Sequence, residues 1–118
     1  MKVSIITVCL NSEKTIEKTI KSVLEQNYQN LEYIIVDGGS RDNTLNILQK
    51  YKKSISKIIS ERDNGIYNAI NKGIKSSTGE IISILHSDDF YFNQNVLDNI
   101  RKIFEYNLNI QCLIGTTI

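Results

Sequence analysis

The stretch Leu31–Ser40, LEYIIVDGGS, decides the fold, because a short apolar run ends there abruptly at four turn residues. A run of this length that is rich in Ile and Val and is closed by Asp37-Gly38-Gly39-Ser40 is typical of a buried strand followed by a tight turn. Val3–Cys9, VSIITVC, is a second run of the same kind and precedes the first along the chain. We therefore expect the chain to begin with two buried strands.

Apolar residues with helical spacing fill the intervals between the predicted strands. They are Ile16, Ile20, Val23 and Leu24; Leu45, Leu48 and Tyr51; Ile66, Ala69, Ile70, Gly73 and Ile74; and Val96, Ile100, Ile103 and Phe104. Further strands are expected at Lys57–Ser60, Glu80–Leu85 and Ile110–Ile114. Strands that alternate with helices indicate the α/β class, here a Rossmann-like, mainly parallel sheet with helices on both faces and a single domain.

Small polar residues and glycine mark the expected ends of these helices. Asn11-Ser12 is expected to cap the first helix, and Ser40 or Asp42 the second, because their side chains can accept bonds from free backbone N–H groups. Gly79 is expected to cap the C-terminus of the third helix.

The composition favours one globular domain and argues against two classes of protein. The 118 residues include 41% hydrophobic and 23% charged residues, with a net charge of +1. Such an even balance gives no electrostatic case for nucleic-acid binding, and no apolar run is long enough to span a bilayer. A cytoplasmic protein is therefore the default expectation. Cys9 and Cys112 lie in separate apolar runs without Cys-x-x-Cys spacing, so both are expected to be core thiols.

Acidic residues follow three of the predicted strands. Asp37 ends the second strand, Asp63 follows the third, and Asp88-Asp89 follow the fourth. Because parallel α/β sheets bind ligands beyond the carboxyl ends of their strands, these side chains are expected to meet at one edge. Carboxylates held together raise each other's pKa unless a cation lies between them, and their hard oxygens suit Mg²⁺ or Mn²⁺. The pattern therefore predicts a nucleoside diphosphate bound through a metal ion.

Each of these residues also has a plainer interpretation. Asp37 and Asp63 could be ordinary turn residues, and Asp88-Asp89 could be a solvated loop. Gly38 could belong to a tight turn, or its missing side chain could let a base or ribose approach the backbone. His86, the only histidine, could be a metal ligand or a structural residue at the end of a strand.

Motifs of other functional classes are missing from the sequence. It contains neither Gly-x-Gly-x-x-Gly nor the P-loop pattern Gly-x-x-x-x-Gly-Lys-Ser/Thr, and no local signature supports a Ser-His-Asp or Cys-His arrangement. A phosphoacceptor receiver domain is an alternative of similar size and architecture. It would need an acidic pair after the first strand and a Lys after the fifth, where this chain has Asn11-Ser12 and Gly115-Thr116.

Four blocks of the sequence carry a family resemblance. They are Val3–Asn11, VSIITVCLN; Ile34–Thr44, IIVDGGSRDNT; Glu61–Gly73, ERDNGIYNAINKG; and Thr78–Asp89, TGEIISILHSDD. In this order and spacing the chain resembles the N-terminal, nucleotide-sugar-binding portion of family 2 glycosyltransferases with the GT-A fold, of the type found in bacterial polysaccharide biosynthesis. The resemblance covers nearly the whole chain.

The resemblance implies a set of site residues. The implied nucleotide-sugar-binding residues are Thr7, Val8, Cys9, Asn11, Asp37, Gly38, Asp63, Gly65 and Asp88. It implies that Asp89, with Asp88, ligates Mn²⁺ or Mg²⁺, which would stabilise charge on the departing nucleoside diphosphate. It further implies inversion at the anomeric carbon, a saccharide or lipid-linked acceptor, and association with the inner face of the membrane as an additional option.

Two features depart from the family pattern. His86 stands where the family often has an acidic residue, which leaves the first metal ligand open. The family's acceptor-binding region and catalytic base come later than Ile118, so we assign no catalytic residue and expect residues 1–118 to be the nucleotide-sugar-binding half of a truncated GT-A domain. Such a half is expected to bind nucleotide with metal, to transfer sugar poorly, and to expose a sheet edge suited to a homodimer. A non-catalytic nucleotide-sugar-binding or interaction module is the alternative.

Overall fold

One parallel sheet organises the protein, for which a computed structural model describes residues 1–115. Its strands are β1 (Val3–Cys9), β2 (Leu31–Asp37), β3 (Lys57–Ser60) and β4 (Ile81–Ile84). The helices are α1 (Ile16–Leu24), α2 (Thr44–Lys50), α3 (Ile66–Ser76) and α4 (Val96–Tyr106), with a short 3₁₀ turn at Lys52–Ser54. The strand order is β3-β2-β1-β4, and every pairing is parallel.

Two apolar clusters cover the two faces of the sheet. Val3, Ile5 and Tyr33 point into a cluster that includes apolar residues of α1, α2 and α4. Ile6 and Val36 point to the opposite face, where α3 covers them. Every residue of β1 is buried, which explains why its sequence is a continuous apolar run rather than an alternating one. The predicted α/β class with helices on both faces is confirmed.

The predicted fifth strand at Ile110–Ile114 is wrong. This segment has no strand structure, and Leu113 and Ile114 are exposed. An apolar run becomes a strand only when a neighbouring strand completes its backbone hydrogen bonds, and within residues 1–115 β4 pairs only with β1. The same exposure makes the core-thiol prediction wrong for Cys112, whereas Cys9 is buried as expected.

The helix ends follow the sequence signals only in part. Thr15 precedes α1, and no side chain of the described residues caps this helix, so the cap predicted at Asn11-Ser12 is wrong. The Ser12 backbone carbonyl instead accepts from the Ile16 N–H at 2.9 Å. At α2 the cap position is Asn43, so the cap predicted at Ser40 or Asp42 is wrong, although Asp42 Oδ1 accepts from the N–H of Thr44 at 2.9 Å.

Gly79 has a different role from the predicted helix cap. α3 ends at Ser76, with Ser77 in extended conformation, and Gly79 lies beyond it against the beginning of β1. Its N–H donates to Ser4 Oγ at 2.8 Å. Nearby, Ser4 Oγ also donates to the buried carboxylate of Glu32. The glycine is therefore required for close approach of two chain segments.

Gly79→Ala is expected to lower the free energy of unfolding by about 2 kcal/mol, the usual cost of overpacking a close contact. A Cβ at this position would lie 2.6 Å from Ser4 Oγ and 2.7 Å from the Ser4 backbone nitrogen, which cannot move without disturbing β1. Urea unfolding followed by circular dichroism measures the change. Gly115→Ala is the matched control, because no atom lies within 4 Å of a Cβ there. Equal stability of the two variants would contradict the prediction.

Candidate functional site

An open cavity of about 950 Å³ lies at the carboxyl ends of β1 and β4. In the order β3-β2-β1-β4 the chain reverses direction across the sheet between these two strands, which is where open α/β sheets bind their ligands. Seven predicted site residues line the cavity: Val8, Cys9, Asn11, Asp63, Gly65, Asp88 and Asp89. Asp42 and His86 line it as well. Thr7, Asp37 and Gly38 are not among the lining residues.

Asp88 and Asp89 lie in the turn that follows β4. The Asp89 N–H donates to the His86 carbonyl at 3.0 Å, which closes the turn. Ser87 Oγ lies 2.9 Å from Ser12 Oγ, so the turn is also joined to the loop that follows β1. Asp88 is exposed and Asp89 is half-buried, which leaves both side chains accessible from the cavity.

The metal-binding potential of this turn rests on two carboxylates. Within residues 1–115, no three His, Cys, Asp or Glu residues are grouped closely enough to hold a metal ion by themselves. Asp88 and Asp89 offer hard oxygen donors, and a divalent cation that binds phosphate commonly uses only one or two protein carboxylates. The donor set therefore fits Mn²⁺ or Mg²⁺ held jointly with a phosphorylated ligand.

Asp37 is fully buried and does not line the cavity, and both oxygens of its carboxylate accept hydrogen bonds. It accepts from the N–H groups of Gly39 at 3.1 Å and Ser40 at 3.0 Å, from Ser60 Oγ at 3.0 Å, and from Ser40 Oγ. Burial alone would raise its pKa, but these hydrogen bonds outweigh burial and lower the pKa below the ordinary value. Asp37 therefore stabilises the turn after β2 as an ionised group.

Asn11 joins the loops that follow β1 and β2. It adopts a φ of 50°, in the left-handed region that Asn tolerates better than most residues. Its N–H donates to Ser40 Oγ at 2.8 Å, and its Oδ1 accepts from the Arg41 N–H at 2.8 Å. Asn11 thus fixes one wall of the cavity through contacts that its sequence position alone does not predict.

Asp63 lies close to the backbone of the turn after β2. Its Oδ1 accepts from the Gly65 N–H at 3.0 Å, and a Cβ on Gly38 would lie only 2.7 Å from Asp63 Oδ2. Gly65 has a φ of 110°, which other residues rarely adopt, and immediately precedes α3. The two glycines therefore allow Asp63 to approach the cavity.

The end of β1 contributes two lining residues and one core residue. Val8 and Cys9 are each 6% exposed and line the cavity. Burial, and then the negative charge of Asp37, raise the pKa of the Cys9 thiol, which therefore stays protonated. Thr7 is fully buried, and its Oγ1 lies 3.0 Å from the Tyr33 hydroxyl.

Sequence reasoning missed Thr19, a residue of α1 that contacts the Asp88-Asp89 turn. Its Oγ1 lies 3.0 Å from the Ser87 carbonyl oxygen. The signal was present in the sequence, because Thr19 is a polar residue on the helical face that carries the buried Ile16, Ile20 and Val23. A polar residue on such a face needs a hydrogen-bond partner from another segment.

Comparison with known proteins identifies the family. The family model described as glycosyl transferase family 2 matches residues 4–115. The chain belongs to this family. The glucosyltransferase WfaP of Escherichia coli, which transfers from UDP-Glc to α-D-GlcNAc-diphosphoundecaprenol in a β-1,3 linkage, is 38% identical over 102 residues. That match covers 84% of this chain and 40% of WfaP.

Solved glycosyltransferase structures have the same fold. The TarS 1-349 structure of S. aureus in complex with UDP-GlcNAc superposes with a TM-score of 0.84 and 27% identity, over 92% of this chain and 32% of that one. The mannosyltransferase PcManGT of Pyrobaculum calidifontis, in complex with GDP-Man and Mn²⁺, gives a TM-score of 0.81 and 25% identity, over 87% and 32%. The chain thus spans well under half the length of these relatives. Within the described residues, no helix has the length and apolar character needed to cross a bilayer.

Proposed function

We propose that the protein binds a nucleotide-diphosphate sugar as part of an inverting, metal-dependent glycosyltransferase of bacterial cell-surface polysaccharide biosynthesis. The observation that carries the proposal is the cavity between β1 and β4, where Asp63, Asp88 and Asp89 meet the backbone of Val8–Asn11. Parallel strands bring these residues together from positions far apart in the sequence. A carboxylate pair at the open mouth of such a cavity suits a diphosphate that arrives with a cation.

The nucleoside would lie against the end of β1, with its diphosphate towards β4. The TarS complex with UDP-GlcNAc supports a nucleotide sugar as the ligand of this fold. Val8 and Cys9 provide a short, uncharged wall, and Asp63 provides an acceptor for base or ribose hydroxyl and N–H groups. Asp37 acts indirectly, because its carboxylate fixes the turn on which Gly38 and Asp63 approach each other.

Asp88 and Asp89 would hold Mn²⁺ or Mg²⁺ at the diphosphate. The PcManGT complex with GDP-Man and Mn²⁺ supports this choice of cation. The bound cation supplies Lewis-acid stabilisation of the charge on the departing nucleoside diphosphate. The protein's own contribution is to present two carboxylates from one turn, closed by the bond between the Asp89 N–H and the His86 carbonyl.

The acceptor would be a saccharide or a lipid-linked saccharide. WfaP, whose acceptor is a diphosphoundecaprenol-linked sugar, supports a lipid-linked acceptor and hence a location in the cytoplasm at the inner face of the membrane. Family resemblance and the β-1,3 linkage that WfaP forms support inversion at the anomeric carbon.

The proposal is tested by calorimetric titration of the chain with UDP and with GDP, in Mn²⁺ and in EDTA. At least one nucleoside diphosphate is expected to bind, with an affinity about 100-fold or more higher in Mn²⁺ than in EDTA, because the cation neutralises charge between the phosphates and Asp88-Asp89. AMP is the control, since it lacks the diphosphate. Absence of binding, or equal affinity in Mn²⁺ and EDTA, would contradict the proposed function.

A further inference from the structure

Three polar side chains on one side of α1 and its C-terminal extension bind the backbone that follows β4. Thr19, Ser22 and Gln26 are spaced so that they lie along one helical face. Together they contact segment 87–97, which runs from the turn after β4 to the start of α4. We call these three residues the α1 polar stripe.

Thr19 contacts the two backbone carbonyl groups that bracket the Asp88-Asp89 pair, those of Ser87 and Asp89. Thr19 is only 1% exposed. Its Oγ1 lies 3.0 Å from the Ser87 carbonyl oxygen and 2.5 Å from the Asp89 carbonyl oxygen. A hydroxyl carries a single proton, so the two carbonyls share this donor. The hydroxyl thereby fixes the backbone on either side of Asp88 relative to α1.

Ser22 and Gln26 continue the same contact along the segment. Ser22 Oγ donates to the Thr19 carbonyl at 2.8 Å, and so is free to accept from the Tyr91 N–H at 3.1 Å. The Gln26 amide donates to the Asn93 carbonyl at 2.6 Å and accepts from the Leu97 N–H at 3.1 Å. Segment 87–97 is thus tied to α1 at its beginning, its middle and its end.

We propose that the α1 polar stripe, and Thr19 above all, positions Asp88 and Asp89 for binding the metal-nucleotide complex. This inference rests on the proposed function. Carboxylates on a turn bind a cation tightly only when the turn is already ordered, because otherwise binding must supply the ordering free energy. Thr19 touches neither cation nor nucleotide in this arrangement. It is a positioning residue that acts through the backbone of the turn.

The test compares Thr19→Val with Thr19→Ser in the full chain. Valine keeps the branched shape but lacks the donor, whereas serine keeps the hydroxyl. The probe is whichever of UDP and GDP binds wild type more tightly. Thr19→Val is expected to bind this nucleotide about tenfold more weakly in Mn²⁺, which is the usual effect of mutating a residue that supports a metal ligand. Its nucleotide affinity in EDTA should change little. Thr19→Ser is expected to retain most of the wild-type affinity.

Amide hydrogen exchange supplies a readout that does not depend on ligand. In Thr19→Val, the Asp89 and Tyr91 amides are expected to exchange faster, while amides of β1 stay protected. Thr78→Val is the control for the loss of a threonine hydroxyl away from the turn, because this hydroxyl donates to Glu32 Oε2 at 3.1 Å near the beginning of β2, at the other end of the strands. That variant is expected to leave Mn²⁺-dependent nucleotide affinity unchanged.

The outcomes separate the inference from the proposed function. If wild type shows no Mn²⁺-dependent nucleotide binding, the proposed function fails and the inference fails with it. If wild type binds and Thr19→Val binds equally well in Mn²⁺, only the inference is overturned. An equal loss in Thr19→Val and Thr78→Val also overturns it, since the effect would then be general destabilisation.

Discussion

Asp89→Asn is expected to remove the Mn²⁺-dependent part of nucleotide binding, a loss of about 100-fold or more in affinity. The estimate exceeds the 10- to 100-fold typical of residues that only support a metal ligand, because Asp89 is a proposed ligand itself. The amide is nearly the same size as the carboxylate but lacks its charge. Asp89 is half-buried in the turn after β4, so the exchange should not disturb the fold.

The matched control for this variant is Asp98→Asn. Asp98 also loses one negative charge in this exchange, but it lies on α4, where it pairs with Arg101 at 2.8 Å and with Lys102 at 3.3 Å. Calorimetric titration in Mn²⁺ and in EDTA measures both variants. Asp98→Asn should bind as wild type does. Retention of Mn²⁺-dependent binding by Asp89→Asn would show that this carboxylate is not a ligand.

Asp37→Asn is expected to lower the free energy of unfolding by about 3 kcal/mol. This is the upper end of the usual cost of leaving a buried polar group without a suitable hydrogen-bond partner. Both carboxylate oxygens of Asp37 accept hydrogen bonds, from Ser40, Gly39 and Ser60. An asparagine must place an NH₂ group where one of these oxygens stands. That group then either faces the Gly39 and Ser40 N–H groups, which are donors, or makes the Ser40 hydroxyl turn away from its present acceptor. The loss is a large part of the 5–15 kcal/mol that usually separates folded and unfolded states.

Urea unfolding at neutral pH measures this loss, with Asp98→Asn again as the control because its carboxylate is partly exposed and pairs with the side chains of Arg101 and Lys102. A stability of Asp37→Asn within 1 kcal/mol of wild type, on the scale of an ordinary surface substitution, would contradict the prediction. Nucleotide affinity, measured where the variant is still folded, should fall as well, since the turn after β2 supports the approach of Asp63 to Gly38.

The same carboxylate makes stability depend on pH. The pKa of Asp37 is lower in the folded state, so its stabilising contribution is complete above the ordinary pKa of Asp and is lost as pH falls through the folded-state pKa. Glu32 has a lowered pKa too and acts in the same direction. The difference between wild type and Asp37→Asn therefore isolates Asp37: it should shrink as the solution is acidified below pH 4.

Much of the site could be predicted because parallel strands end together. Asp63 follows β3, Asp88-Asp89 follow β4, and all three residues line the cavity. The sequence did not indicate that the Asp37 side chain turns inward, where its oxygens accept hydrogen bonds from neighbouring groups. An aspartate in a turn looks the same in sequence whether it faces solvent, a ligand or its own loop.

The failures have one physical cause. A periodic pattern reports which residues avoid water, but not which segment will cover them. Ile110–Ile114 has the composition of a strand, yet among the described residues no neighbouring strand pairs with it. Gly79 follows a helix as a cap would, yet it is needed where the chain passes Ser4, far away in sequence.

The sequence by itself determined the alternation of strands and helices, the two buried central strands and the edge of the sheet where the acidic residues gather. These features depend on local hydrophobic periodicity and on the common direction of parallel strands. Only the tertiary structure decided that Asp37 supports a turn and that Thr19 holds the turn of Asp88 and Asp89. Those roles depend on hydrogen bonds between side chains and backbone groups that meet only after the helices pack on the sheet.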